Sequence, residues 1–112
     1  MSVRIEFLYW PECPSHPEAR ALLQRVLAET GVPAQIETRV IETDEEAERE
    51  RFVGSPTIRV NGRDVDPNTT DGAHRLTCRL YFREDGRPSA IPTETMIRKA
   101  LAQFAQKEQD ER

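Results

Sequence analysis

The chain has 112 residues, of which 37% are apolar and 32% are charged, so it can form one folded domain and is not typical of a disordered chain. A net charge of −4 argues against a nucleic-acid partner, and no apolar stretch approaches the roughly 20 residues that cross a bilayer. The first residues lack a signal-peptide pattern, so we predict a cytoplasmic protein with no membrane partner. In that setting, two cysteines favour thiol or metal chemistry over a structural disulfide.

The first part of the chain predicts a strand, a helix and a second strand. Residues 3–9 end in an apolar run typical of a central strand, and residues 34–41 alternate as a strand does. Ser15 and Glu18 match a capping box, so we predict that the helix begins at Ser15 or His16. Its buried face is predicted from apolar residues at helical spacing, namely Ala19, Leu22, Leu23, Val26 and Leu27.

A short acidic helix and a hairpin follow. A second capping box at residues 43–46 opens the helix, and residues 57–60 form the next strand. Asn61 and Gly62 are a strong hairpin signal, which makes residues 63–65 the return strand.

The last part of the chain begins with a polar loop at residues 66–77. Residues 78–82 then predict a further strand, and Thr93 is placed to cap a final helix. Residues 106–112 are charged or polar and are predicted to form a tail beyond a single domain at residues 1–105. The apolar face of the final helix is predicted to comprise Met96, Ile97, Ala100, Leu101 and Phe104.

The order of these elements predicts an α/β fold. A strand–helix–strand unit gives a right-handed crossover between parallel neighbours, and the hairpin adds antiparallel strands. The expected architecture is a thioredoxin-like central mixed sheet of about four strands flanked by helices. Such a fold places its chemistry in the turn after the first strand and in the loop before the third.

Both places carry residues that resemble known functional motifs. The turn at residues 9–16, Tyr-Trp-Pro-Glu-Cys-Pro-Ser-His, resembles the strand–Cys-x-x-Cys–helix motif of the thioredoxin-like superfamily, with His16 in the second Cys position. Residues 54–57, Gly-Ser-Pro-Thr, resemble its cis-proline loop, and residues 78–81, Cys-Arg-Leu-Tyr, resemble a later element of short bacterial thioredoxin-family or alkylmercury-lyase-like proteins.

The resemblance implies that Ser55-Pro56 is cis and faces Cys13. It also implies that the loop can pair with an extended substrate, so that Trp10, Ser55, Pro56 and Thr57 are candidate substrate-binding residues.

Cys13 is the candidate nucleophile. A thiolate near a helix N-terminus is stabilised by the free amides and the helix dipole, which lower its pKa. The alternative is an inert cysteine in a turn beside the acidic Glu12. His16, the second candidate catalytic residue, is placed either to hydrogen-bond Cys13 or to lie in solvent.

Cys78, the third candidate catalytic residue, follows a loop that the topology brings to the same end of the sheet. It is placed either to pair with Cys13, in place of the missing local cysteine, or to be buried in its strand beside Leu80 and Phe82. A further alternative is zinc, since Cys13 with His16 and His74 with Cys78 have the spacing of a Cys2His2 site.

The favoured function is thiol–disulfide or soft-electrophile chemistry at Cys13, with Cys78 resolving the adduct, no cofactor, and a small thiol, a disulfide or a protein thiol as partner. The lyase-like resemblance implies organomercurial or soft-metal handling by both cysteines, with Glu12 or Asp66 as the acid. The remaining alternative is a non-catalytic binding or homodimerisation module.

Overall fold

A computed structural model describes residues 2–67 and 74–110, with the side chains of the final helix described as far as Gln103. The helices and strands follow the predicted order, and a short strand near residue 88 adds to it. Their bounds are β1 Val3–Tyr9, α1 His16–Thr30, β2 Ala34–Val40, α2 Asp44–Arg49, β3 Thr57–Val60, β4 Arg63–Asp64, β5 Tyr81–Phe82, β6 Pro88–Ser89 and α3 Glu94–Asp110.

The predicted α/β architecture is confirmed, with a four-stranded mixed sheet in the order β2-β1-β3-β4. Strand β1 is parallel to β2 and antiparallel to β3, with Leu8 opposite Thr57. Because β1 is central and covered on both faces, Phe7 and Leu8 are both fully buried although they point to opposite sides. This arrangement is compatible with a thioredoxin-like fold.

Helices α1 and α3 cover one face of the sheet. The predicted face of α1 is confirmed: Ala19, Leu23 and Val26 are buried, while Leu22 and Leu27 are partly buried against the same core. Burying each large apolar side chain of this kind contributes about 1.5–3 kcal/mol.

Helix α3 packs beside α1 through the predicted apolar positions. Ile97 and Leu101 are buried, and the Met96 amide donates to the Thr93 hydroxyl at 3.1 Å, which confirms the predicted cap. The predicted contribution of Phe104 lies outside the described side chains. The helix continues to Asp110, into the segment predicted as a tail.

The opposite face of β1 packs on a smaller apolar cluster, close to where the end of β1 pairs with the start of β3. Leu8 lies there with Ile41, Ala47 and Phe52, and Trp10 packs against the cluster from the turn after β1. Helix α2, which supplies Ala47, has Thr43 as its N-cap as predicted, since the Thr43 hydroxyl accepts a hydrogen bond from the Glu46 amide at 3.0 Å.

The turn between β3 and β4 behaves as the sequence predicts. Asn61 and Gly62 both have positive φ angles, 50° and 85°, as the tight hairpin between β3 and β4 requires. Gly86 likewise has a positive φ and lies in the turn between β5 and β6. Within the described residues, no helix combines the length and the apolar character that a membrane crossing requires.

The predicted strand at residues 78–82 is only partly correct. Strand β5 contains only Tyr81 and Phe82 and pairs with β6 in a separate two-stranded sheet, whereas Cys78 makes one isolated bridge to Ser55. Leu80 and Phe82 are 63% and 58% exposed. Their side chains therefore face solvent, although their hydrophobicity indicated that they would face the core. The residues that alternate with Leu80 and Phe82, namely Arg79 and Tyr81, are the ones whose side chains are buried.

Candidate functional site

Cys13 lies in the turn that joins β1 to α1. Its backbone amide donates to the Trp10 carbonyl at 3.0 Å, which closes the turn, and α1 begins three residues later at His16. The predicted start of α1 is therefore confirmed, with Ser15 as the N-cap residue. Cys13 is only 1% exposed, so its sulfur is enclosed by the protein.

The capping box predicted for Ser15 is wrong. Ser15 has helical backbone angles (φ −87°, ψ −9°) and makes no side-chain cap, because a capping side chain requires an extended residue at this position. Its hydroxyl lies instead 3.3 Å from the Cys13 sulfur. Ser15, which matched a helix-capping pattern in the sequence, therefore contacts the Cys13 sulfur instead of capping the helix.

The loop before β3 forms the opposite wall of the site. The Ser55-Pro56 peptide bond is cis, and the Ser55 carbonyl lies 3.5 Å from the Cys13 sulfur, which confirms both parts of that prediction. The Trp10 amide donates to the Ser55 hydroxyl at 3.0 Å. This hydrogen bond ties the turn that carries Cys13 to the cis-proline loop.

Cys78 reaches Cys13 because its segment pairs with the same loop. The Ser55 amide donates to the Thr77 carbonyl at 2.8 Å, and the Arg79 amide donates to the Ser55 carbonyl at 2.9 Å. Cys78 lies between these two bonds, 2.9 Å from Cys13, and both thiols are free. The predicted approach of Cys78 to Cys13 is confirmed, and the buried-cysteine alternative is wrong because Cys78 is exposed.

A glycine makes this close pairing possible. A Cβ atom at Gly54 would lie 2.8 Å from the Cβ of Arg79, closer than real Cβ atoms approach, and 3.2 Å from its Cα. Gly54 also has a φ of 137°, which L side chains rarely adopt. Only glycine at this position lets the backbone of residue 79 lie directly against the loop.

A buried polar network holds the Cys78 segment in place. Arg79 donates to both carboxylate oxygens of Asp64, at 2.7 and 2.8 Å, and its guanidinium lies 4.2 Å from the centre of the Tyr81 ring. The Tyr81 hydroxyl donates to the Pro56 carbonyl at 2.5 Å. Burial raises the pKa of Tyr81 far above its ordinary value, so this hydroxyl remains a donor. Asp64 was not identified from the sequence, although the Cys-Arg-x-Tyr pattern contains its partner Arg79.

The two thiols have opposite pKa shifts. Burial raises the pKa of Cys13, but hydrogen bonds from the side chains of Cys78 and Ser15, the Ser15 amide and the Ser55 side chain outweigh it, so the pKa is lowered overall. The hydrogen bond to Cys13 raises the pKa of Cys78, and burial and the negative charge of Cys13 add to this. The arrangement favours a thiolate at Cys13 that accepts a hydrogen bond from the Cys78 thiol.

We therefore expect the reduced protein to lose its two thiol protons in two separate steps, one below and one above the ordinary thiol pKa of about 8.5. The first ionisation is favoured because the remaining thiol donates to the new thiolate, and the second places two negative charges side by side. Ultraviolet absorbance of the thiolate as a function of pH measures both steps. Simultaneous loss of both protons near 8.5 would contradict this coupling.

His16 does not join the pair. Its ring stacks on Tyr9 with centroids 4.3 Å apart, and the described contacts include no hydrogen bond between His16 and Cys13. No group of three or more His, Cys, Asp or Glu side chains able to hold a metal occurs among residues 2–67 and 74–110. The Cys2His2 zinc alternative is therefore wrong, because its ligand pairs do not converge.

The candidate substrate-binding residues differ in accessibility. Ser55, Pro56 and Thr57 are buried, and the Thr57 hydroxyl donates to the Gly54 carbonyl at 2.6 Å. Trp10 is half-buried. The loop therefore shapes the enclosure of the Cys13 sulfur, and its contact with a substrate stays a prediction.

No protein-family model and no curated protein matches the chain. The functional interpretation therefore rests on the geometry of the two cysteines and of the residues that hold them.

Proposed function

We propose that this protein is a thiol–disulfide redox protein of the thioredoxin-like class, in which Cys13 and Cys78 form one reversible disulfide. The observation that carries the proposal is the contact between the two free thiols, 2.9 Å apart, with a lowered pKa at Cys13 and a raised pKa at Cys78. A thiolate beside a thiol is the reactive form of a dithiol, since the thiolate is the nucleophile in disulfide exchange.

The overall reaction is a two-electron exchange with an external disulfide. The Cys13 thiolate and the Cys78 thiol are oxidised to one disulfide, while the external disulfide is reduced to one thiol and one thiolate. The proton of Cys78 ends on the released thiol, so atoms and charge balance. Forming an S–S bond of about 2.05 Å from the present 2.9 Å needs the cysteines to approach by less than about 1 Å.

The setting in this proposal is the cytoplasm, where glutathione is the abundant small thiol and cysteine pairs are kept reduced unless they take part in exchange. Cys13 as the nucleophile that forms the internal disulfide agrees with this setting, because its lowered pKa increases the fraction of thiolate.

The organomercurial alternative is less well supported. Cleavage of a carbon–metal bond needs an acid beside the two thiolates, and in the described part of the chain no Asp, Glu or His joins both cysteines in a cluster of three. A non-catalytic binding module does not require thiols with shifted pKa values, so the shifts at Cys13 and Cys78 favour the redox function over it.

Mild oxidation tests the proposal. We expect oxidised glutathione to convert the reduced wild-type protein to a form that is two hydrogens lighter, with both thiols protected from alkylation. Intact-mass spectrometry under non-reducing conditions measures this, and peptide mapping should identify the Cys13–Cys78 linkage. A wild-type protein that keeps two alkylatable thiols after such treatment would disprove the redox function.

A further inference from the structure

We infer that the exposed Cys78, and not the enclosed Cys13, is the sulfur that exchanges with external thiols and disulfides, with Cys13 acting only on Cys78 inside the protein. The inference rests on the proposed redox function and assigns the two sulfurs their order of reaction. It departs from the prediction that Cys13 attacks the external substrate and Cys78 resolves the adduct.

Access separates the two sulfurs. Cys13 is 1% exposed and enclosed by Ser15 and Ser55, whereas Cys78 is exposed to solvent. Disulfide exchange requires an approach to the attacked sulfur along the S–S axis. Cys78 is the cysteine of the pair that solvent, and therefore an external reactant, can reach.

The leaving group favours the same order. When an external thiolate attacks an internal disulfide, the better leaving group is the sulfur with the lower thiol pKa. Attack at the Cys78 sulfur expels Cys13, whose thiolate is stabilised by the hydrogen bonds of Ser15 and Ser55. Attack at Cys13 would expel Cys78, whose thiolate lacks the serine hydrogen bonds that stabilise Cys13.

The backbone of Ser55, in the cis-proline loop, is not open to pairing with a substrate. Both backbone groups of Ser55 are already bonded to residues 77 and 79 of the chain itself. An extended peptide could pair with the loop only by displacing the segment that Arg79 and Asp64 hold in place. The external partner is therefore a thiol or disulfide that meets Cys78 end-on, as a small molecule such as glutathione can.

The Cys13 thiolate accepts the proton of Cys78 while the Cys78 sulfur attacks an external disulfide, whose S–S bond breaks to release one thiolate. That thiolate removes the proton from Cys13. The Cys13 thiolate then attacks the Cys78 sulfur, the mixed disulfide breaks, and the second external thiolate leaves.

Single-cysteine variants test the assignment, because access and acidity predict opposite results. Treated with oxidised glutathione, Cys13→Ser should form a mixed disulfide at Cys78 at least about ten-fold faster than Cys78→Ser forms one at Cys13. If thiolate content decided the rate, Cys78→Ser would be the faster variant. In Cys78→Ser, the new serine keeps a hydroxyl donor beside Cys13, so that variant retains the hydrogen bonding around the Cys13 thiolate.

Two controls keep the test decisive. In denaturant, where access is equal, the two variants should react at similar rates. In oxidised wild-type protein, a brief exposure to reduced glutathione followed by acid quenching and peptide mapping should place glutathione on Cys78. Glutathione on Cys13, or a faster Cys78→Ser variant, would overturn the order of reaction even if the wild-type protein forms its disulfide. Absence of that disulfide would instead disprove the redox function.

Discussion

Oxidation of Cys13 and Cys78 to a disulfide is expected to raise the free energy of unfolding by about 4 kcal/mol, because it closes a loop of roughly 65 residues in the unfolded chain. The folded state needs little adjustment, since the cysteines are already 2.9 Å apart. Urea unfolding of the oxidised and reduced proteins measures the difference, once the free energy of unfolding of each form is calculated from its own midpoint and slope.

Cys78→Ser is the matched control for this experiment, since it keeps a small polar side chain but cannot form the cross-link. Its free energy of unfolding should be the same with and without reductant. If oxidised wild-type protein proves no more stable than reduced protein, the cross-link strains the fold by as much as it constrains the unfolded chain.

Gly54→Ala is expected to destabilise the fold by about 3 kcal/mol, because it combines a strained φ of 137° with a Cβ only 2.8 Å from the Cβ of Arg79. The displaced atoms belong to the segment that carries Cys78, so internal disulfide formation should also slow. Chemical denaturation measures the first effect, and the rate of thiol loss under mild oxidation measures the second.

Gly31→Ala is the control that introduces backbone strain without steric crowding of a neighbouring side chain. Gly31, which ends α1, has a φ of 69°, but a Cβ there would meet nothing within 4 Å. It should cost about 1 kcal/mol for the left-handed backbone alone and leave the rate of thiol loss unchanged. Equal effects of the two substitutions on that rate would show that contact between Gly54 and Arg79 does not position Cys78.

The sequence predicts the fold well where patterns are local. The apolar run of β1, the stripe of α1 and the Asn61-Gly62 turn each determine an element without help from distant residues. Residues 78–82 show the limit of such patterns. Their alternation predicts a strand, but it does not reveal that Arg79 and Tyr81 face inward, because this depends on Asp64 and the Pro56 carbonyl.

The site is harder to predict for the same reason. The position of Cys13 follows from the turn after β1, and its proximity to Cys78 follows from topology. The thiol environment does not, because the hydroxyl of Ser15 matches a helix cap in sequence and contacts the sulfur in the structure. A residue that can satisfy either of two partners takes the one that the tertiary fold places within reach.

The long separation of the two cysteines in sequence gives the pair a property that a Cys-x-x-Cys motif lacks. In a local motif the thiols stay close together even when the chain unfolds, whereas here their effective concentration depends on the parallel pairing at Ser55. Folding and disulfide formation are therefore thermodynamically linked, and each favours the other to the same extent. Any change that loosens the docking of residues 77–79 will make the oxidised protein easier to reduce, wherever in the network it acts.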